Sequence, residues 1–224
     1  MTFSLAARCA RTGMLGAAVV SSSPAVAARC ARARAGVGAV LSQNVTDPRL
    51  GPRALDLMAG GMSAPDAVAL LGAEAAHPEY RQILAIDAEG RTAAHSGPKA
   101  LGVWSDAAGH DVIAGGNLLA HEGVPAAIVA GFEAADGSLG DRLLVGLRAG
   151  LLAGGEAGPV HSAGLVIAHR EDWPYAELRC DWTLDDPVEA LAAAWAVYAH
   201  QADAYVQRAL DPRAAPAFGV AGDE

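Results

Sequence analysis

A threonine at the second position of the chain is the first residue whose type and place could carry out chemistry. Thr2 follows the initiator methionine and begins an alternating segment typical of a β-strand. Removal of Met1 would leave this threonine with a free α-amine. Such a terminus holds a nucleophile and its base on one residue, because an amine with a pKa of about 7.7–8.0 accepts the hydroxyl proton near neutral pH. We therefore consider Thr2 a candidate nucleophile that acts after removal of Met1.

Serines on the neighbouring strand are the first candidates to support Thr2. A turn at residues 11–13 would pair the first two strands and set Thr2 opposite about Ser22. Any of the serines at 21–23 could then hydrogen-bond the amine of Thr2. The same run of serines is equally typical of a turn. We assign a catalytic role to Ser22 as the hypothesis to be tested.

Two further groups of polar residues follow or end predicted strands. Gly115, Gly116 and Asn117 combine backbone N–H groups with a side-chain amide, and these are the components of an oxyanion hole. Gln43 and Asn44 end another strand and could bind a polar substrate. The alternatives are a glycine turn capped by asparagine in the first case and loop capping in the second. We predict a catalytic role for Asn117 and substrate contacts for Gly115, Gly116, Gln43 and Asn44.

The polar residues proposed around Thr2 also predict how its α-amine would titrate. Serines 21–23 and Asn117 are neutral, and partial burial disfavours an ammonium group. Both effects would place the pKa of the amine below its reference value. A carboxylate against the amine would reverse the direction of this shift. The sequence offers Asp47 and Asp181 as candidates for such a carboxylate.

A hydrolase that uses another nucleophile is a separate hypothesis. Ser162 lies in the sequence VHSAG, which is half of a nucleophile elbow, but a strand follows it where a helix is required. Cys9 is on the first strand, and its position relative to Thr2 predicts that it faces the opposite side of the sheet. Either residue would need His161 or another histidine as its base. No HExxH motif or CxxC pair is present, and the sequence implies no cofactor and no metal.

Composition narrows the class of protein. The chain has 224 residues, a formal net charge of −9 and 52% hydrophobic residues, which suits a single packed domain at 1–211 with a tail at 212–224. The acidic balance argues against a nucleic-acid partner. No apolar run reaches the roughly 18 residues that span a bilayer, so we expect no membrane partner. Three well-separated cysteines favour a reducing, cytoplasmic location, although the first 28 residues also have the outline of a secretory signal.

The order of predicted elements indicates a layered α+β fold. The predicted strands lie at residues 2–9, 14–21, 36–42, 80–87, 91–96, 111–115, 162–169 and 175–181. The predicted helices lie at 52–59, 64–75, 125–135, 139–153 and 187–210, and residues 25–35 are ambiguous. Hairpin strands with helices inserted in pairs do not form a parallel sheet. They predict antiparallel sheets covered by pairs of helices.

Four segments of the sequence together resemble a known bacterial family, the domain-of-unknown-function family 1028. They are MTFSLAARCARTGMLGAAVVSS, ARAGVGAVLSQNVTDPRLGPRALDLMAGGMSAPDA, YRQILAIDAEGRTAAHSG and GGNLL. The resemblance implies a four-layer αββα sandwich similar to that of N-terminal-nucleophile (Ntn) hydrolases, with Thr2 in the place of the nucleophile. One departure concerns the lysine that proteasome-like Ntn enzymes hold near the nucleophile. The only lysine here, Lys99, cannot be placed there from the sequence.

Two functions follow from this resemblance and from the residues around Thr2. The first is an Ntn-type hydrolase that cleaves the C–N bond of a small-molecule amide. The second is a binding or scaffold protein that keeps the Ntn-like sandwich without catalysis. The helices predicted at 125–153 and 187–210 are rich in apolar residues, so we also expect a homo-oligomer.

Overall fold

The computed structural model describes residues 2–222, so Met1 and its predicted removal, together with the end of the predicted tail, lie outside the described residues. The strands are β1 (Thr2–Arg8), β2 (Leu15–Ser21), β3 (Ala31–Arg34), β4 (Gly38–Asn44), β5 (Arg81–Asp87), β6 (Thr92–Ser96), β7 (Ser105–Gly109), β8 (Val112–Asn117), β9 (Ser162–Ala168) and β10 (Ala176–Cys180). The α-helices are α1 (Val26–Cys30), α2 (Leu50–Ala59), α3 (Ala64–Glu74), α4 (Val124–Ala134), α5 (Leu139–Leu152), α6 (Pro187–Tyr198) and α7 (Ala202–Leu210).

Two antiparallel sheets lie face to face. The six-stranded sheet has the order β10-β9-β2-β1-β8-β7, and the four-stranded sheet has the order β3-β4-β5-β6. Apolar side chains such as Leu41 and Val19 fill the space between the sheets. Helices α4, α5 and α6 pack against the six-stranded sheet around Phe3, while α2 and α3 pack against the four-stranded sheet around Ile83. The predicted four-layer αββα sandwich with antiparallel sheets is thus confirmed.

Alternation along β1 decides which layer each of its side chains enters. Phe3 and Leu5 belong to the core beneath the helices, whereas Ala6 belongs to the core between the sheets. Ser4 shares the face of Ala6, and its hydroxyl reaches Gln43 on the opposite sheet. Because side chains two residues apart on a strand share a face, Thr2 also faces the space between the sheets.

The structure corrects several element boundaries. The long terminal helix predicted at 187–210 is two helices, α6 and α7, separated by a turn at residues 199–201. At the end of α6, the hydroxyl of Tyr198 donates to the carbonyl of Tyr175. Strand β4 extends through Gln43 and Asn44, two residues beyond the predicted strand at 36–42. The ambiguous residues 25–35 contain α1 and β3. Strand β7 was not predicted, since it is a half-exposed edge strand without clear alternation of apolar residues.

No helix within residues 2–222 is long and apolar enough to cross a bilayer.

Candidate active site

Four polar side chains form a row across the centre of the six-stranded sheet, at one end of the space between the sheets. Thr2 on β1 pairs with Asn117 on β8, and Ser21 on β2 pairs with Ser162 on β9. The β1–β2 register joins the two pairs, because Phe3 pairs with Val20 and places Ser21 beside Thr2. Thr2 is only 5% exposed, and the other three members of the row are fully buried. We call these four residues the polar row.

A chain of hydroxyl groups links Thr2 to a cation. Thr2 Oγ1 donates to Ser21 Oγ at 3.4 Å, and Ser21 Oγ lies 2.8 Å from Ser23 Oγ. The guanidinium of Arg29 on α1 donates to Ser23 Oγ at 3.2 Å. A charged donor at the end of such a chain polarises the hydroxyls between it and Thr2.

The prediction that Ser22 lies opposite Thr2 is wrong by one residue. The observed pairing puts Ser21 beside Thr2, because the β1–β2 hairpin is centred between Arg11 and Thr12 and not on Thr12, which shifts the register by one residue. A shift of one residue moves each side chain to the other face of a strand. Ser22 takes part through its backbone, since its N–H donates to the carboxylate of Glu156 at 3.1 and 3.2 Å.

Glu156 is a site residue that sequence reasoning missed. It lies in the loop after α5, directly after two glycines, and a single glutamate in such a place matches no motif. Its backbone forms a β-bridge with Leu119, and the residue is 4% exposed. Burial raises the pKa of Glu156 to about 7, while the Ser22 N–H and the nearby His161 act in the opposite direction. A proton therefore binds and leaves this carboxylate near neutral pH.

Side-chain amides on the four-stranded sheet fix the orientation of Asn117. Gln82 Nε2 donates to the carbonyl of Gly116 at 3.0 Å, and a carbonyl oxygen can only accept. Gln82 Oε1 is therefore an acceptor, and it receives Gln43 Nε2 at 2.8 Å and Asn117 Nδ2 at 3.1 Å. Gln43 Oε1 in turn receives the hydroxyl of Ser4 at 2.7 Å.

This network leaves one acceptor at the polar row without a donor. Among the residues that the structure describes, Asn117 Oδ1 is buried and has no hydrogen-bond partner. Buried carbonyl oxygens of this kind are nearly always paired, because an unpaired one costs roughly 1–3 kcal/mol. Since the network fixes Nδ2 against Gln82, a ligand that binds beside Thr2 would meet an acceptor at Asn117.

The other predicted substrate contacts lie in the same network or at its edge. Gly115 and Gly116 lie within β8, between β1 and β7, and do not form the glycine turn that was the alternative to an oxyanion hole. Their carbonyl oxygens accept hydrogen bonds from Gln43 and Gln82. Asn44 joins two loops, because it donates to the carbonyl of Tyr80 and accepts from a backbone N–H at residue 101. Contact of these residues with a substrate stays a prediction.

The residues of the alternative nucleophile hypothesis are held in structural contacts. Ser162 Oγ donates to the carbonyl of Ser23 at 2.6 Å and accepts the N–H of Val26 at 3.3 Å. Cys9 lies at the far end of β1 in the core beneath the helices, on the face opposite to Thr2 as predicted. His161 approaches the polar row from the segment before β9. Its backbone N–H donates to the Ser21 carbonyl, and its ring nitrogen Nδ1 lies 2.9 Å from the carbonyl of residue 183.

The charged residues considered from the sequence lie in other pairs. Asp47 binds Arg49, and Asp181 binds Arg179. The single lysine, Lys99, lies over the ring of Tyr80 and 3.5 Å from Glu79. The cation linked to the polar row is therefore an arginine of α1. Within residues 2–222, no group of three or more histidine, cysteine, aspartate or glutamate side chains is arranged to hold a metal ion.

Comparisons with known proteins place the chain in a family. It is similar to a crystal structure of a DUF1028-family protein from Silicibacter pomeroyi, with 28% identity, a TM-score of 0.81 and coverage of 89% of this chain and 88% of that chain. A Gly-1 mutant of Anbu from Hyphomicrobium sp. strain MC1 aligns with 16% identity and a TM-score of 0.43 over 90% of this chain and 96% of that chain, and a score this low supports no inference. A search of curated protein sequences finds no match. The family of unknown function DUF1028 matches residues 2–191, and the chain belongs to this family.

Proposed function

We propose that the protein is an Ntn-type hydrolase that cleaves the C–N bond of a small-molecule amide, with Thr2 as its nucleophile after removal of Met1. One observation carries the proposal. Thr2 begins a central strand, and its side chain lies in a polar row between the sheets of an αββα sandwich. A residue that is first in the processed chain would there present its hydroxyl and its α-amine in one buried polar site.

The proposed reaction has two stages that use the same groups. The Thr2 hydroxyl attacks the amide carbonyl carbon while the α-amine takes the hydroxyl proton. That proton passes to the substrate nitrogen, the C–N bond breaks, and the acyl group stays on Thr2 as an ester. Water then attacks the ester, the α-amine takes a proton from it, and the acid leaves. The proton returns to Thr2 Oγ1, so that the enzyme is regenerated.

Neighbouring side chains support an amide as the substrate. Asn117 Oδ1 lacks a donor, and an amide substrate carries an N–H that can fill this position. An ester of the same shape offers no such donor. Ser21 Oγ contacts the Thr2 hydroxyl, and Ser21 is linked through Ser23 to the guanidinium of Arg29. This link polarises the Ser21 hydroxyl, which would donate a hydrogen bond to the oxyanion that forms on the substrate carbonyl. Asn117 thus keeps a role in the site, but through its acceptor atom and not as the oxyanion donor that the sequence predicted.

A panel of small amides tests the proposed function. Protein that begins at Thr2, verified by intact mass, is incubated with primary and secondary amides, and the released amine is measured. We expect hydrolysis of at least one member, and we expect Thr2→Ala to reduce it to the uncatalysed rate. Thr12→Ala, in the β1–β2 turn, is the matched control and should keep full activity. Undiminished hydrolysis by Thr2→Ala would refute the proposal.

One observation favours a non-catalytic binding protein as the second candidate. Thr2 is almost fully buried, and the side chains of Gln43 and Gln82 are hydrogen-bonded to each other beside it. A substrate therefore has to displace part of this surface before it reaches the hydroxyl. If a ligand from the amide panel bound equally well to the normal protein and to Thr2→Ala, and neither turned it over, the binding function would be the better account.

A further inference from the structure

The position of Glu156 relative to β1 places it beside the start of the processed chain. Strand β1 lies between β8 and β2. Glu156 bridges through its backbone to Leu119, two residues past the end of β8, and through its side chain to Ser22, one residue past the end of β2. A residue bonded to both extensions crosses the end of the strand between them. Glu156 therefore lies beyond Thr2, at the end of β1 where the α-amine of the processed chain would be.

The contacts of Glu156 are incomplete for a buried carboxylate. Both of its oxygens share one donor, the Ser22 N–H, and the residue is 4% exposed. Among residues 2–222, no arginine, lysine or histidine side chain forms an ion pair with it. Burial of a carboxylate without a cation is costly. A cationic group that reached this place would lower that cost.

We propose that Glu156 binds the α-amine of Thr2 in the processed chain and holds it beside the Thr2 hydroxyl. This inference rests on the proposed N-terminal nucleophile and adds a positioning residue to it. The sequence predicted neutral surroundings for this amine and offered Asp47 and Asp181 as the carboxylates that would reverse the shift. In this proposal Glu156 is that carboxylate. A carboxylate stabilises the ammonium form, so the pKa of the amine is raised relative to a neutral site, and the pKa of Glu156 is lowered in return.

Besides Glu156, basic side chains also face this end of the sandwich, and each carries a positive charge in its protonated form. They are His161 before β9, Arg29 on α1, which acts through Ser23, and His121 after β8, whose ring bonds the carbonyl of residue 153. Each would lower the pKa of an amine nearby, which is the opposite direction to the effect of Glu156. The direction of the measured shift therefore identifies the group that dominates.

The first test measures the α-amine itself and needs no substrate. Protein that begins at Thr2 is treated with cyanate across a range of pH, and carbamylation of the N-terminal peptide is followed by mass spectrometry. We expect Glu156→Gln to lower the pKa of the amine by about one unit or more. Glu122→Gln removes an equal charge from an exposed residue of a neighbouring loop and should leave the pKa unchanged. An unchanged pKa in Glu156→Gln would overturn the inference.

A second test covers a variant that folds poorly and separates a specific contact from a general structural role. An N-terminal extension converts the α-amine into an uncharged amide. At pH 8, Glu156→Gln should raise the thermal midpoint of the extended chain, because it removes an uncompensated buried charge. In the chain that begins at Thr2, the same substitution should not raise the midpoint. Equal effects in the two chains would contradict the inference. Both readouts are independent of turnover, so they can succeed even where no amide is hydrolysed.

Discussion

Two carboxylates lie at the same end of the sandwich, one beside each sheet, and their pKa values are shifted in opposite directions. Asp47 follows strand β4 of the four-stranded sheet, and Arg49 binds both of its oxygens at 2.9 and 2.7 Å. This contact lowers the pKa of Asp47 to about 2. Glu156 precedes strand β9 of the six-stranded sheet, and burial with a single N–H donor raises its pKa to about 7. Little of either residue is exposed, at 7% and 4%, but Glu156 is enclosed by the protein much more deeply than Asp47.

The difference teaches that depth of burial and hydrogen-bond partner together decide the pKa of a carboxylate, because burial dominates at Glu156 and the bond to Arg49 dominates at Asp47. On the four-stranded sheet the polar side chains are satisfied within the fold, as in the network of Gln43 and Gln82. On the six-stranded sheet two acceptors, Asn117 Oδ1 and the carboxylate of Glu156, lack full complements of donors. Polar groups left unsatisfied in a folded protein are concentrated at binding and catalytic sites. Here they flank Thr2.

The largest effect on stability is expected from removal of the amide that joins the two sheets. Gln82→Leu leaves two buried donors, on Gln43 and Asn117, and one carbonyl, at Gly116, without their partner. Each unsatisfied buried group costs roughly 1–3 kcal/mol, so we expect a loss of at least about 3 kcal/mol in the free energy of unfolding. Urea denaturation measures this loss, with Gln207→Leu on exposed α7 as the control.

A small loss in the free energy of unfolding for Gln82→Leu would contradict the role assigned to the amide network. If Gln82→Leu destabilised the protein by no more than Gln207→Leu, the network would not be what holds Asn117 in place. The assignment of Asn117 Oδ1 as the open acceptor would then fail, and with it the preference for an amide substrate.

The next largest effect concerns Glu156 in a chain with an N-terminal extension. The pKa of Glu156 is raised from 4.5 to about 7 on folding, so the folded protein holds a proton that the unfolded chain releases between these values. The free energy of unfolding therefore falls as pH rises through this window. Glu156→Gln removes this loss. We expect it to be more stable than the parent by up to about 3 kcal/mol above pH 7, and we expect this pH-dependent gain to vanish below pH 4.5.

Chemical denaturation at pH 4 and pH 8 measures this dependence. Glu122→Gln, which removes an exposed carboxylate, should show no such change with pH. A gain in Glu156→Gln that is constant between pH 4 and pH 8 would mean that Glu156 does not titrate in this range, and the contrast with Asp47 would then be lost.

The smallest effect, of opposite sign, is expected at Asp47. Its pKa is lowered from 3.8 to about 2, so its contribution to stability is present above pH 3.8 and is lost as pH falls through 2. Because Arg49 is 82% exposed and the pair is screened by solvent, we expect Asp47→Asn to cost only about 1 kcal/mol at pH 7. Thermal denaturation at pH 7 checks this value, with Asp56→Asn as a control in an exposed ion pair. Stabilisation by Asp47→Asn would break the comparison.

Much of the fold could be predicted from the sequence because it follows local rules. The alternation of Thr2–Arg8 and the turn after it indicate a hairpin, and Ser63 and Ser138 mark the starts of helices through their hydroxyl groups. The order of strands and paired helices then leads to the sandwich. Thr2 could be selected as a candidate in the same way, because the Met-Thr pair at the start of a predicted strand is visible in the local sequence.

The rest of the site depends on contacts between residues far apart in the chain. Glu156 reaches Ser22 across 134 positions, and nothing in either local sequence records the contact. The orientation of Asn117 depends on Gln82, on the opposite sheet. The misplacement of Ser22 has a smaller cause, since one residue of error in a hairpin register exchanges the two faces of a strand.

Covalent trapping of the nucleophile tests the central claim most directly. Protein that begins at Thr2 is treated with a β-lactone, whose ring opens on a hydroxyl nucleophile and adds its full mass to the protein. We predict a single adduct that peptide mapping places on Thr2 Oγ1, that Thr12→Ala retains, and that both Thr2→Ala and prior carbamylation of the α-amine abolish. An adduct on Ser162 or Cys9, or one that persists in Thr2→Ala, would contradict the account.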